Sequence, residues 1–166
     1  PKTARVYAVI GASMNAGKTT TAVSLIRGFL AAGHRVGSAK VTGTGAGGDL
    51  WRMMDAGARP ALDFTSAGVV STYKVERAEL LRIFLTLASH AMNTGIDVLV
   101  IEVADGLYQR ETALLLQAPE FQRLVDGVFF AARDALGAKA GVEWLARHRL
   151  KTIALSGIIT IAPLAI

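Results

Sequence analysis

The sequence has no cysteine, which excludes disulfides, thiolate metal sites and a cysteine nucleophile, and fits a reducing compartment. A cytoplasmic location is the expectation. There is no N-terminal signal pattern. The longest apolar stretch, residues 153–166, falls short of the roughly 20 residues a membrane span needs and contains Pro163. It reads as a buried strand with its exit, and no membrane partner is expected. Charge of one sign is not concentrated either. The net charge of +5 is scattered and clusters only at Arg147-His148-Arg149-Leu150-Lys151, where cations closing a helix match its dipole. A nucleic-acid partner is therefore not expected, because a basic surface near a phosphate site accounts for the excess. The guanine-reading pattern Asn-Lys-x-Asp is missing as well, which argues against a GTPase.

What is present is enough for one packed domain, since 52% of the 166 residues are apolar. The sequence starts at Pro1 without methionine and stops at Ile166 on apolar residues, as an excised domain would. Residues 1–166 are accordingly read as a single nucleotide-binding domain, with a further domain outside them allowed for.

The most informative stretch is Val9-Ile10-Gly11-Ala12-Ser13-Met14-Asn15-Ala16-Gly17-Lys18-Thr19-Thr20, an apolar strand that enters a helix through a loop of small residues. Such a loop curls its N–H groups around a phosphate, and the helix N-terminus adds partial positive charge. Lys18 would reach the β- and γ-phosphates, and the Thr19 hydroxyl would bind Mg²⁺. The spacing is Gly-x5-Gly-Lys-Thr, with Ala12 where the usual first glycine stands. An alanine fits there only at negative φ, so either the strain moves to Gly11 or the loop is one residue longer.

Strand and helix signals alternate along the rest of the chain. Residues 5–10 read as a strand, 17–32 as a helix and 35–41 as a second, parallel strand. The glycine-rich segment Thr42-Gly43-Thr44-Gly45-Ala46-Gly47-Gly48 follows, bracketed by Lys40 and Asp49; it reads as a ligand-wrapping loop, with a flexible linker as the alternative. A short helix over 50–57 and an extended segment over 61–64 come next. In the long helix over 75–92, Leu81, Leu85, Ala88 and Met92 define one apolar face, with Leu80, Phe84, Leu87 and Ala91 beside it. His90 in its last turn is given no role.

The apolar strand over 96–101 runs into Glu102, with Asp105-Gly106 close behind. Either acid suits the Mg²⁺-holding position at the end of a Walker-B strand. Gln109-Arg110-Glu111-Thr112 reads equally as a flank of the site or as a solvated helix start. A strand over 126–131, a helix over 135–148 and a last strand over 151–159 complete the pattern. The interior glycines Gly137 and Gly141 cost that helix about 1 kcal/mol each unless close packing on the sheet or on a second subunit offsets them.

The alternation predicts a three-layer α/β/α fold with a mostly parallel sheet. In such folds ligands bind beyond the carboxyl ends of the strands. Lys18, Lys40 with Asp49, Glu102 with Asp105, Arg133 with Asp134, and Thr160 all fall at that edge.

With these residues in place the chain resembles the dethiobiotin synthetase-like branch of P-loop NTPases, whose phosphate loop has the same five-residue spacing as Gly11 to Gly17. The resemblance implies a P-loop NTPase fold, a substrate lysine at Lys40, a magnesium-site aspartate at Asp49 and a Walker-B glutamate at Glu102. It does not extend to the glycine-rich turn after the glutamate, here Val103-Ala104-Asp105-Gly106, or to a base-reading asparagine, replaced by Thr160. The related deviant-Walker ATPases carry a second lysine early in the loop; Ser13 occupies that position, so their lysine-exchanging dimer is not expected, although a homodimer as such is left open.

Together the residues and the resemblance suggest an ATP- and Mg²⁺-dependent enzyme that phosphorylates an anionic small molecule bearing a carboxylate, carbamate or amide. Lys18, Lys40 and Glu102 would be catalytic, and Thr19, Asp49 and Glu102 would hold the metal. Gly11, Ser13, Asn15, Ala16, Gly17, Lys18, Thr19 and Thr20 would bind the nucleotide. The alternative is a nucleotide-dependent switch domain in which residues 43–49 and 105–112 move. A third reading is a degenerate scaffold that binds nucleotide weakly.

Overall fold

The computed structural model describes residues 2–161. Six strands form one sheet: β1 (Arg5–Gly11), β2 (Val36–Lys40), β3 (Ala61–Asp63), β4 (Val98–Val103), β5 (Gly127–Ala131) and β6 (Thr152–Ser156). Their order is β3-β2-β4-β1-β5-β6, and every neighbouring pair is parallel. The helices are α1 (Lys18–Ala31), α2 (Gly48–Asp55), α3 (Arg77–Asn93), α4 (Arg110–Leu116), α5 (Pro119–Leu124) and α6 (Ala135–Arg147). The three-layer α/β arrangement read from the sequence is the one observed.

Side-chain parity divides the interior. Val6, Ala8 and Ile10 of β1 face the cluster built by α3 to α6, while Tyr7 and Val9 face the cluster built by α1 and α2. On β4, Leu99, Ile101 and Val103 join the first cluster, and Val98 and Val100 join the second. Since alternate residues of a strand share a face, Glu102 points with Val98 and Val100 toward α1. Lys40 shares a face with Val36 for the same reason, and it stands in register with Glu102 on the adjacent strand. The strand period alone therefore brings both charged groups under the start of α1.

Several sequence expectations are corrected. The strand carrying Glu102 runs one residue past it, to Val103. The buried face of α3 is Leu80, Ile83, Phe84, Leu87, Ala88 and Ala91, whereas Leu85 is 42% exposed. The face expected around Leu81 and Leu85 thus lies off-centre, because the apolar stripe is wide enough for its middle to be misjudged. β6 is an edge strand with Ile153 and Leu155 partly exposed, not the buried strand its apolar sequence suggests. The expected exit around Pro163 lies outside the described residues. The strand expected over 151–159 stops at Ser156 and turns into a 3-10 helix, Ile158–Ile161. Helix α5 has no counterpart among the expectations.

Two helix-interior glycines, Gly141 of α6 and Gly28 of α1, sit in opposite surroundings. A Cβ on Gly141 would lie 2.1 Å from the ring of the fully buried Phe130, so this glycine lets the helix sit down on the sheet. Gly28 in α1 faces nothing within 4 Å. Opposite outcomes are expected from the same change. Gly28→Ala should stabilise by up to about 1 kcal/mol through helix propensity. Gly141→Ala should destabilise by roughly 1–2 kcal/mol net, because overpacking outweighs the same propensity gain. Urea midpoints of the two variants against the parent protein check the pair.

Candidate functional site

The loop between β1 and α1 is shaped by two residues with positive φ, Asn15 at 55° and Gly17 at 101°. Of the two alternatives, strain at Gly11 is not the one observed, since its φ is not positive. Gly11 is needed for space instead: a Cβ there would lie 2.9 Å from the Lys18 side chain, which crosses it. Ala12 adopts negative φ, as its Cβ requires, and its amide continues the β1–β5 pairing by donating to the Ala131 carbonyl at 2.9 Å.

Lys18 is 7% exposed and donates to the Ser13 carbonyl at 2.9 Å and to the Asp105 carbonyl. Burial lowers its pKa, with the charges of Glu102 and Asp105 pulling the other way. Next to it the Thr19 hydroxyl lies 3.0 Å from Asp49 Oδ1 and 3.0 Å from Glu102 Oε1. One hydroxyl has one proton, so it serves only one of the two carboxylates at a time. Glu102 Oε2 is fully buried and has no hydrogen-bond partner.

The electrostatics follow from this crowding. Burial pushes the Glu102 carboxyl up to about 7, assisted by the charge of Asp49 and opposed by Lys40, Thr19 and Lys18. Burial would raise Asp49 too, but the hydrogen bond and charge of Lys40, with help from Thr19, hold its carboxyl below the usual range. Lys40 forms an ion pair with Asp49, its side chain only 13% exposed.

Two acids, one of them with an unpartnered buried oxygen, and a hydroxyl form a hard, oxygen-only donor set. It fits a cation such as Mg²⁺, which is usually held by one or two carboxylates while keeping waters and substrate oxygens as its other ligands. Among the described residues no group of three or more His, Cys, Asp or Glu side chains forms, so a fully protein-ligated transition-metal site is not what this geometry resembles.

A pH effect follows for the metal-free protein. The folded state holds the Glu102 proton to about pH 7, whereas an ordinary glutamate in the unfolded chain releases it near 4.5. Folding therefore takes up a proton between these values, and this group's contribution to stability declines as pH rises through them. Glu102→Gln should flatten that decline. Urea midpoints of parent and variant from about pH 5 to about pH 8, with a chelator present, test it.

These groups surround a cavity of about 490 Å³ lined by Asn15, Gly17, Lys18, Thr19, Thr20, Lys40, Asp49 and Glu102, with further walls from Met14, Arg52, Ala104, Asp105 and Ile158. Three expected loop residues do not line it. Gly11 lies under Lys18, Ser13 offers its carbonyl to Lys18, and Ala16 is buried with its carbonyl accepting from the Ile158 amide at 3.2 Å. The glycines after β2 also face elsewhere. Gly43 and Gly45 donate their amides to Thr72 Oγ1 and the Val70 carbonyl, so the segment is pinned to residues 70–72 and is neither a linker nor a wall of the cavity.

Arg133 is exposed, Asp134 caps α6 by accepting from the Gly137 amide at 2.8 Å, and Thr160 is exposed outside the cavity. The solvated-helix reading of residues 109–112 is overturned for two of them. Glu111 is buried and accepts from the Lys74 amide at 2.6 Å, and buried Thr112 donates to the Ala104 carbonyl at 2.7 Å. Sequence reasoning missed Arg52, although its place three residues after Asp49 in a short helix put both on one face. Met14, Ala104 and Ile158 carry no chemical signal that a sequence could show.

No protein-family model matches the sequence, and no curated protein matches it. Solved structures do. The signal recognition particle receptor FtsY from Elizabethkingia anophelis superposes with a TM-score of 0.59 at 17% identity, covering 93% of this chain and 50% of that one. The kinase domain of the Escherichia coli tyrosine kinase ETK gives 0.60 at 14%, covering 93% and 68%. Signal recognition particle 54 kDa protein from Aeropyrum pernix, in complex with GDP, gives 0.52 at 20%, covering 78% and 29%. The chain spans about half the length of the FtsY structure it matches. The fold is that of the P-loop NTPases. Among the described residues no helix is long and apolar enough to cross a membrane.

Proposed function

We propose that this domain binds a magnesium nucleoside triphosphate in the cavity between β1, β2 and β4, and uses it to activate an anionic small molecule by phosphoryl transfer. The carrying observation is the convergence of Lys18, Thr19, Asp49 and Glu102 on one point, with Lys40 beside them. Thr19, Asp49 and Glu102 would hold Mg²⁺, which when bound supplies charge neutralisation on the phosphate oxygens. Lys18 would exchange its two carbonyl partners for phosphate oxygens, a stronger charge-assisted contact. The neighbours support nucleotide use, since one is a kinase domain and another is a complex with GDP.

Lys40 supports the finer reading. Its only described partner is Asp49, and when that carboxylate turns to a cation the ammonium is left facing the cavity, where it would orient a carboxylate, carbamate or amide acceptor. That residues 1–166 act as one nucleotide-binding unit is part of the same proposal, as is the choice of ATP.

The switch reading has its own support. Lys18 holds the Asp105 carbonyl, the Ala104 carbonyl accepts from Thr42 and Thr112, and Glu111 fixes Lys74, so the groups around the cavity are tied to two outer segments. ATP turnover with Mg²⁺ separates the readings. Stimulation by pools of small carboxylic or amino acids is expected. Stimulation by a protein partner alone would favour the switch, and a protein that neither binds nor turns over nucleotide would end both.

A further inference from the structure

One cation at the cavity belongs to no part of the phosphate-loop pattern. Arg52 lies in the second turn of α2, a helix anchored by the fully buried Met53, and its guanidinium reaches across to α1, where Nη2 donates to Thr20 Oγ1 at 3.3 Å. Arg35, Arg82 and Arg110 each pair with a carboxylate. Arg52 pairs with none among the described residues: of the two acids three residues away in its helix, Asp49 is engaged by Lys40 and Asp55 makes no ion pair with it. The exposed Arg52 side chain lines the cavity, and its other N–H groups have no protein acceptor among the described residues.

The position of Thr20 indicates what those donors meet. Thr19 points at the acid pair, and Thr20, about 100° further around the helix, points toward α2. A polyphosphate whose terminal groups are taken by Lys18 and Thr19 extends past this side of the helix start. We propose that Arg52 is a nucleotide-affinity residue whose planar guanidinium grips the polyphosphate at the Thr20 end. The ligand chemistry is a phosphate oxyanion, to which arginine presents a fork of parallel donors. The inference rests on the nucleotide reading above. Loss of such a contact is read in the affinity for the polyphosphate.

The test measures dissociation constants of Mg-ATP, Mg-ADP and magnesium tripolyphosphate for the parent, Arg52→Ala and Arg52→Lys proteins. Arg52→Ala should weaken all three by about tenfold, leave the nucleotide-free melting temperature unchanged, and be partly rescued in Arg52→Lys. Unchanged affinities, or a loss confined to Mg-ATP and tripolyphosphate, would overturn the assignment. So would a loss that lysine does not relieve and that comes with a lowered melting temperature. If the parent protein binds Mg-ATP and Arg52→Ala binds it equally well, only the role of Arg52 falls. A parent protein that does not bind Mg-ATP removes the nucleotide reading and this inference together.

Discussion

Replacing Lys18 with methionine is expected to remove most of the stabilisation that Mg-ATP gives the parent protein. At a nucleotide concentration 100 times its dissociation constant the parent gains about 2.7 kcal/mol. For a domain of this size that is a rise in melting temperature of roughly 5–10 °C. Lys18 supplies charge-assisted hydrogen bonds worth about 1.5–3 kcal/mol each, so its loss should weaken binding about 100-fold. At the same nucleotide concentration the gain then drops to about 0.4 kcal/mol. Methionine is the better probe than alanine because its chain still covers Gly11, which would otherwise be uncovered. The nucleotide-free variant loses the contacts to the Ser13 and Asp105 carbonyls, so its own melting temperature must be the baseline. A full nucleotide shift in this variant would show that the loop is not a phosphate cradle.

What the sequence made legible in this site follows from what kind of interaction each residue makes. Lys18 and Thr19 were readable because a strand, a glycine-bearing loop and a helix in succession fix their place locally. Glu102 was readable because a run of apolar residues ended near an acid, and strand parity then aimed it at α1. Lys40 and Asp49 were readable as charges bracketing glycines, although the glycines proved to serve the packing of residues 70–72. Arg52 was missed because a single arginine in an amphipathic helix looks like a solvated residue until the neighbouring helix is known.

The fold was legible wherever local periodicity decides, and lost where sheet order does. Whether Ile153 and Leu155 are covered depends on β6 being last in the sheet, and hydrophobicity along the chain carries no information about strand order. The burial of Glu111 and Thr112 is a similar case. Both sides of those contacts, Lys74 and Ala104, come from other segments, and polar residues at a helix start look solvated until such partners arrive.

The largest structural effect is expected from Gly157→Ala. Gly157 follows β6 at a φ of 93°, a conformation that costs an alanine about 1–2 kcal/mol on its own. Space is the greater difficulty. A Cβ there would lie 2.1 Å from the Ala16 carbonyl oxygen and about 3 Å from the oxygen and nitrogen of Ala132, at 2.9 and 3.0 Å. All three are backbone atoms, so no rotamer change relieves the clash. The phosphate loop would have to move away from the β5–β6 corner, breaking the Ile158 amide contact to Ala16 and crowding Gly17, whose own Cβ position is 2.9 Å from Gly157 Cα. A loss of roughly 3 kcal/mol or more in urea unfolding is expected, from conformational strain and overpacking together. Nucleotide affinity should fall as well, although residue 157 does not line the cavity, because the amides that would meet the phosphates are held in place from behind. Gly68→Ala is the control: it shares a left-handed φ, 84°, but has nothing within 4 Å of its Cβ position, so it should lose only the conformational part and leave nucleotide binding intact. If Gly157→Ala and Gly68→Ala were equally mild, the contact between the β6 corner and the loop would not be what holds the cradle in shape.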